Sequence, residues 1–129
     1  MKKRIVHVED KPEVIEATRF LLKSKEYEVL GAIGGQKGLE VIKQEKPDLV
    51  ILDLMMPGMD GWEVYKQMKA DRNLSNIPVI IYSARSQSTE AERLEMYKYK
   101  RDEYLEKGIS RQELIEAIER ALTDRELEW

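Results

Sequence analysis

The chain has 129 residues, 42% hydrophobic and 36% charged, with a net charge of −3 and no cysteine. That length supports one domain with a core of its own. The near-balanced charge argues against a nucleic-acid or anionic-membrane surface, and the missing cysteines exclude disulfides, thiolate metal sites and cysteine nucleophiles. No apolar run approaches the ~20 residues of a membrane span, and "MKKRIVHVED" lacks a signal peptide's apolar stretch because Glu9 and Asp10 interrupt it, so the expected compartment is the cytoplasm.

Residues 4–8 (RIVHV) form a short β-rich run. Pro12 then stands where a first helical turn tolerates its missing N–H, with Val14, Ala17, Thr18, Leu21 and Leu22 marking one helical face. A second strand over 27–32 and a helix entered through glycines over 34–45 follow. The third strand, 47–53, has no polar alternation, the pattern of a strand buried on both faces. After the "MPGMDG" turn come a helix over 62–71, a fourth apolar strand over 77–84, a helix over 88–100 and a brief fifth strand over 103–107. Ser110 and Glu113 make an S-x-x-E capping box opening a last helix to about Arg125, with Leu114, Ile115, Ile118 and Leu122 as its stripe.

Five βα units with short connections require parallel strands, right-handed crossovers and helices on both faces. The expected fold is a doubly wound α/β domain around a five-stranded parallel sheet. The expected organisation is one domain over 1–129, with its core over about 3–124 and no output domain. Such folds bind ligands outside the carboxyl ends of their strands.

The last residues of the strands therefore decide the chemistry. Glu9 and Asp10 end the first strand, Asp53 the third and Ser83 the fourth, while Lys107 follows the fifth. Singly, each has an ordinary reading. Asp10 before Lys11–Pro12 suits a helix N-cap, Ser83 a turn, and Lys107 a solvated cation. Together they converge on one rim. Asp53, ending an unbroken apolar run, must be paired, bound to a cation or meant to react. Three close carboxylates repel unless a cation intervenes, and hard oxygen ligands with no His or Cys favour Mg2+. A carboxylate can also accept a phosphoryl group, with a lysine and a hydroxyl holding the transferred oxygens.

At this point the sequence resembles the response-regulator receiver domains of two-component signalling, with the flavodoxin-like fold. The resemblance rests on "VEDKP" after the first strand, "VILDLMMPGMDGWEV" around Asp53, Ser83–Ala84 after the fourth strand, and "DEYLEK" around the fifth. It implies that Asp53 is the phosphoacceptor, and that Mg2+ is held by Asp10, Asp53 and the Met55 backbone carbonyl, with Glu9 acting through water. It implies that Ser83 and Lys107 contact the phosphoryl group and that Tyr104 is the switch aromatic. The implied donor is a sensor histidine kinase or phosphotransfer protein. The implied target is a protein docking on the fourth helix, fifth strand and fifth helix of a monomer or phosphorylation-dependent dimer. No outside metabolite is turned over, so the chain is not an enzyme in the ordinary sense.

Three departures from the family stand out. Gly108 replaces the usual proline after the lysine, and its peptide bond is expected to be trans. The Ser83–Lys107 spacing is long. "YKYKR" (97–101) replaces the usual Gly-Ala before the fifth strand. That segment reads as a helix end whose cations complement the dipole, or as a docking surface for an acidic or aromatic partner. Two rival functions remain: a phosphorylation-independent interaction module, and a Mg2+-dependent phosphatase or phosphotransferase acting on a small substrate. His7 reads as a packed core residue, Met55, Met56 and Met59 as filling around a mobile loop, and Trp129 as a frayed end. "GAIGGQKG" fails the P-loop spacing.

Overall fold

Short apolar runs alternating with amphipathic helical stretches leave the chain one efficient solution, and the computed structural model, which describes residues 2–84 and 89–123, adopts it. The elements in chain order are β1 (Lys3–Glu9), α1 (Pro12–Leu22), β2 (Tyr27–Ile33), α2 (Gly35–Glu45), β3 (Leu49–Leu52), α3 (Gly61–Ala70), β4 (Val79–Ser83), α4 (Glu90–Met96), β5 (Glu103–Glu106) and α5 (Arg111–Thr123). All strands are parallel, in the order β2-β1-β3-β4-β5. The order reverses direction beside β1, which places a crevice at the carboxyl ends of β1 and β3.

Strand alternation splits the core in two. Val6, Val8, Val50, Leu52, Val79 and Ile81 pack with α2, α3 and Met96 of α4. Ile5, Leu49, Ile51, Ile80 and Tyr82 pack with Leu22 of α1 and the inner face of α5. β3 and β4 are buried along their whole lengths, as continuous apolar runs require.

The capping box of α5 forms as read: Ser110 Oγ accepts from the Glu113 N–H at 3.1 Å and Glu113 Oε1 from the Ser110 N–H at 3.2 Å. Two more caps went unread in the sequence. Asp60 caps α3, and Thr89 with Glu92 forms a full capping box on α4.

Some boundaries differ from the sequence reading. α1 buries Ile15, Thr18 and Leu22, whereas Ala17 is exposed and Val14 and Leu21 are only half-buried. A 3.6-residue period carries Ile15, Thr18 and Leu22 inward together, so the expected stripe was rotated. α1 is capped by Lys11 without a side-chain bond, so Asp10 is not its N-cap. β3 stops at Leu52, one residue before Asp53. α4 ends at Met96 rather than near residue 100, and "YKYKR" lies in turns held by the Tyr99 N–H on the Met96 carbonyl and the Asp102 N–H on the Tyr99 carbonyl. Arg125 and Trp129 lie outside the described residues.

Candidate functional site

β1 and β3 are hydrogen-bonded neighbours with Val8 opposite Leu52, so their carboxyl ends meet. The Asp53 N–H donates to the Val8 carbonyl at 3.0 Å, and the Gly34 N–H to the Glu9 carbonyl at 3.1 Å, which fixes the rim to the sheet. Gly61 closes it from below. A Cβ there would lie 2.7 Å from the Asp53 carbonyl carbon, so only glycine lets α3 start against the Asp53 backbone.

One carboxylate oxygen each from Glu9, Asp10 and Asp53 falls within 4.8 Å of the others. Glu9 and Asp53 are buried and Asp10 is half-buried. Lys107 reaches the cluster from beyond β5, with Nζ 2.8 Å from Glu9 Oε1 and 3.7 Å from Asp53 Oδ2. It is steered by its own N–H, which donates to the Ser83 carbonyl at 2.7 Å. Asp53 Oδ1 accepts the Met55 N–H at 3.3 Å. Ser83 is fully buried at the end of β4, the strand beside β3. Tyr104, half-buried on β5 opposite Ile81, packs against the α2–α3 side of the core.

Gly108 has φ +98°, a conformation a proline ring cannot adopt, and no peptide bond is cis among the described residues. The loop after Lys107 is therefore built differently from a proline turn, yet it delivers the lysine to the carboxylates. Met55 is exposed, Met56 buried and Met59 half-buried around the β3–α3 connection.

Three carboxylates facing one ammonium leave excess negative charge. Burial pushes the Glu9 carboxyl up to about 7, against the pull of Lys107 and with the charge of Asp53 and the adjoining Asp10 carboxyl adding to the rise. His7 is buried and held neutral, its pKa down to about 3 through burial and the nearby Lys107 and Arg19 cations. Glu9 Oε2 and Asp10 Oδ1 are buried without any hydrogen-bond partner. Orphaned hard oxygens beside a third carboxylate suit a small divalent cation such as Mg2+.

The sequence did not reveal a second polar cluster at the opposite, amino-terminal edge of the sheet. Lys69 Nζ lies 2.9 Å from Asp102 Oδ2, with side chains 6% and 1% exposed. Asp102 also accepts the Tyr65 hydroxyl at 2.7 Å and the Val79 N–H at 2.8 Å. Lys69 donates to the Ser75 and Ile77 carbonyls at 3.2 and 3.1 Å and sits 4.6 Å from the Tyr99 ring centre. Neither partner carries a local signal, because each is an ordinary charged residue in a polar stretch.

The strand order and the acidic, lysine-bearing carboxyl edge define a doubly wound signalling-type α/β domain rather than a dinucleotide binder. The sequence profile of the response regulator receiver domain matches residues 5–119, and the chain belongs to that family. It is 32% identical to the Protein PilH of Pseudomonas aeruginosa over 119 residues, covering 92% of this chain and 97% of PilH. The structure is similar to a CheY-like receiver domain protein of Methanospirillum hungatei, with a TM-score of 0.85, 25% identity and full coverage of both chains. It is also similar to the response regulator TrrA of Thermotoga maritima in complex with Mg2+ and BeF, with a TM-score of 0.80, 31% identity, and 95% and 100% coverage.

Proposed function

We propose that this receiver accepts a phosphoryl group on Asp53 in a Mg2+-dependent reaction and thereby changes its affinity for a protein partner. The observation that carries the reading is the convergence of Asp53, Glu9, Asp10 and Lys107 at one buried strand edge. The TrrA structure, captured with Mg2+ and BeF, supports it by likeness.

A carboxylate oxygen of Asp53 attacks the phosphorus of a phosphohistidine on a sensor kinase or phosphotransfer protein. The P–N bond breaks, the electron pair leaves with the imidazole, and an acyl phosphate forms. Lys107 and Ser83 hold the phosphoryl oxygens, so the protein's contribution is positioning and charge neutralisation. Asp10, Asp53 and the Met55 carbonyl would hold Mg2+, with Glu9 acting through water, and the cation would supply charge neutralisation to the transfer.

Lys107 leaves Glu9 for the phosphoryl group as the new charge accumulates at Asp53. Ser83 then closes on that group and Tyr104 buries its ring, which biases a pre-existing equilibrium of the α4–β5–α5 surface. The protein acts on itself and turns over no outside metabolite. No helix among the described residues is long and apolar enough to cross a membrane, in keeping with work in the cytoplasm.

The test is an intact-mass spectrum after incubation with acetyl phosphate and Mg2+, beside Asp53→Asn and an EDTA sample. One phosphoryl adduct requiring both Asp53 and the metal is expected. No adduct, together with no binding of beryllofluoride and Mg2+, refutes the proposal in favour of a phosphorylation-independent module.

A further inference from the structure

The "YKYKR" segment is not absorbed by the phosphoacceptor chemistry, and its side chains divide sharply. Tyr99 turns inward, meets Tyr65 edge-on at 6.3 Å and covers the Lys69 ammonium. Tyr97 does the opposite and is 89% exposed, with Leu94, three residues earlier on the same helical face, 65% exposed. Between Arg93 and Arg101 the chain carries four cations (Arg93, Lys98, Lys100, Arg101) against the single carboxylate Glu95, in a protein whose net charge is −3. Two of the three acidic residues of α4, Glu90 and Glu92, lie in its first turn, and the third, Glu95, meets Lys98 in an exposed pair at 3.5 Å. The end of α4 is therefore an apolar pair set among cations on an otherwise acidic molecule.

A helix dipole accounts for cations after a helix, but not for an exposed leucine and tyrosine among them. The buried cluster beneath bears on this. A buried ion pair is a poor source of stability, and its best-attested use is to fix one arrangement. Here Asp102 ties the turn after α4 to Val79 and Tyr65, Tyr99 is seated on Lys69, and Arg101 donates to the Asn76 carbonyl. The turn is anchored on both sides of Lys100, so the patch is presented in a fixed geometry. Fixed geometry reduces the entropy lost when a partner binds.

We infer that the carboxyl end of α4, through Leu94, Tyr97, Lys98 and Lys100, is a docking surface for an acidic protein segment carrying a large apolar side chain. The apolar side chain of the segment rests between Leu94 and Tyr97, and its carboxylates face Lys98 and Lys100. This names the chemistry of the partner left open in the proposed function and rests on that reading for its regulation by Asp53.

The test pans a displayed library of random 16-residue peptides against the whole chain, with and without beryllofluoride and Mg2+, counter-selecting on Leu94→Ser/Tyr97→Ser. Selected peptides are expected to be acidic with at least one Leu, Ile, Phe or Trp. Their fluorescence anisotropy should show affinity falling as NaCl rises, and falling at least about tenfold in Leu94→Ser/Tyr97→Ser and in Lys98→Glu/Lys100→Glu. All altered positions are exposed, and both variants should melt like the wild type and still gain the phosphoryl adduct. No enrichment, enrichment of neutral or basic peptides, or equal binding by the variants overturns the inference. So does wild-type binding to anionic phospholipid vesicles, or self-association in sedimentation, that these variants abolish in place of peptide binding. Failure of the phosphoacceptor reading shows separately, as a missing adduct while peptides are still selected by the unliganded protein.

Discussion

Replacing Lys69 with Met would remove one partner of the buried pair and leave the carboxylate of Asp102 behind. With the two side chains 6% and 1% exposed, solvent cannot compensate the lost ammonium. Breaking such a pair from one side costs about 3–5 kcal/mol. The Tyr65 hydroxyl and the Val79 N–H still bond Asp102, which argues for the lower end, about 3 kcal/mol. The Ser75 and Ile77 carbonyls lose a donor and hold the estimate from falling further. In urea, with a slope of about 2 kcal/mol/M for a domain of this size, the midpoint should fall by roughly 1.5 M.

The control is Lys66→Met, whose ion pair with Glu63 is exposed on both sides and should cost less than about 1 kcal/mol. Adding Asp102→Asn to Lys69→Met should restore part of the loss, because the buried charge is gone. Two outcomes would refute the reasoning: a loss for Lys69→Met no larger than that of Lys66→Met, or a double variant less stable than the single one by the full cost of Asp102→Asn alone.

Gly61→Ala drives a methyl into the Asp53 backbone, so a loss of about 1–3 kcal/mol and a weakened phosphoryl adduct are expected from thermal melts and intact mass. Gly108→Ala puts an L side chain at φ +98° and should cost about 1–2 kcal/mol, while Gly108→Pro should also displace Lys107, read as a changed affinity for Mg2+ by tryptophan fluorescence. Glu9 binds its proton more tightly folded than unfolded, so its contribution to stability is full below about 4.5 and is lost as pH rises through about 7. In metal-free melts Glu9→Gln should therefore gain on the wild type across that window, and Mg2+ at pH 8 should reverse the order by stabilising the wild type more. An advantage for Glu9→Gln that grew toward low pH would contradict the burial of a reluctant carboxylate.

The fold was legible in the chain because its signals are local. Unbroken runs such as Leu49–Leu52 and Val79–Ser83 specify strands buried on both faces, and the Ser110–Glu113 box specifies where α5 begins. Parallel pairing then follows from the intervening helices, and the carboxyl-edge rule collects Glu9, Asp10, Asp53 and Lys107 at one rim. Tertiary structure alone decided what lies across the chain from what. That Lys107 leans on Glu9 more closely than on Asp53, that Gly108 reaches the same rim with a positive φ, and that Lys69 finds Asp102 are outcomes of packing between distant segments. The same holds for Tyr97 and Tyr99, two residues apart in the sequence. One is in solvent and the other covers a buried lysine, because Lys69 and Tyr65 lie under the turn that follows α4 and give only Tyr99 a surface to meet. Patterning fixes which stretches form elements, whereas the facing of side chains in a turn depends on surfaces the turn meets only after the elements have packed.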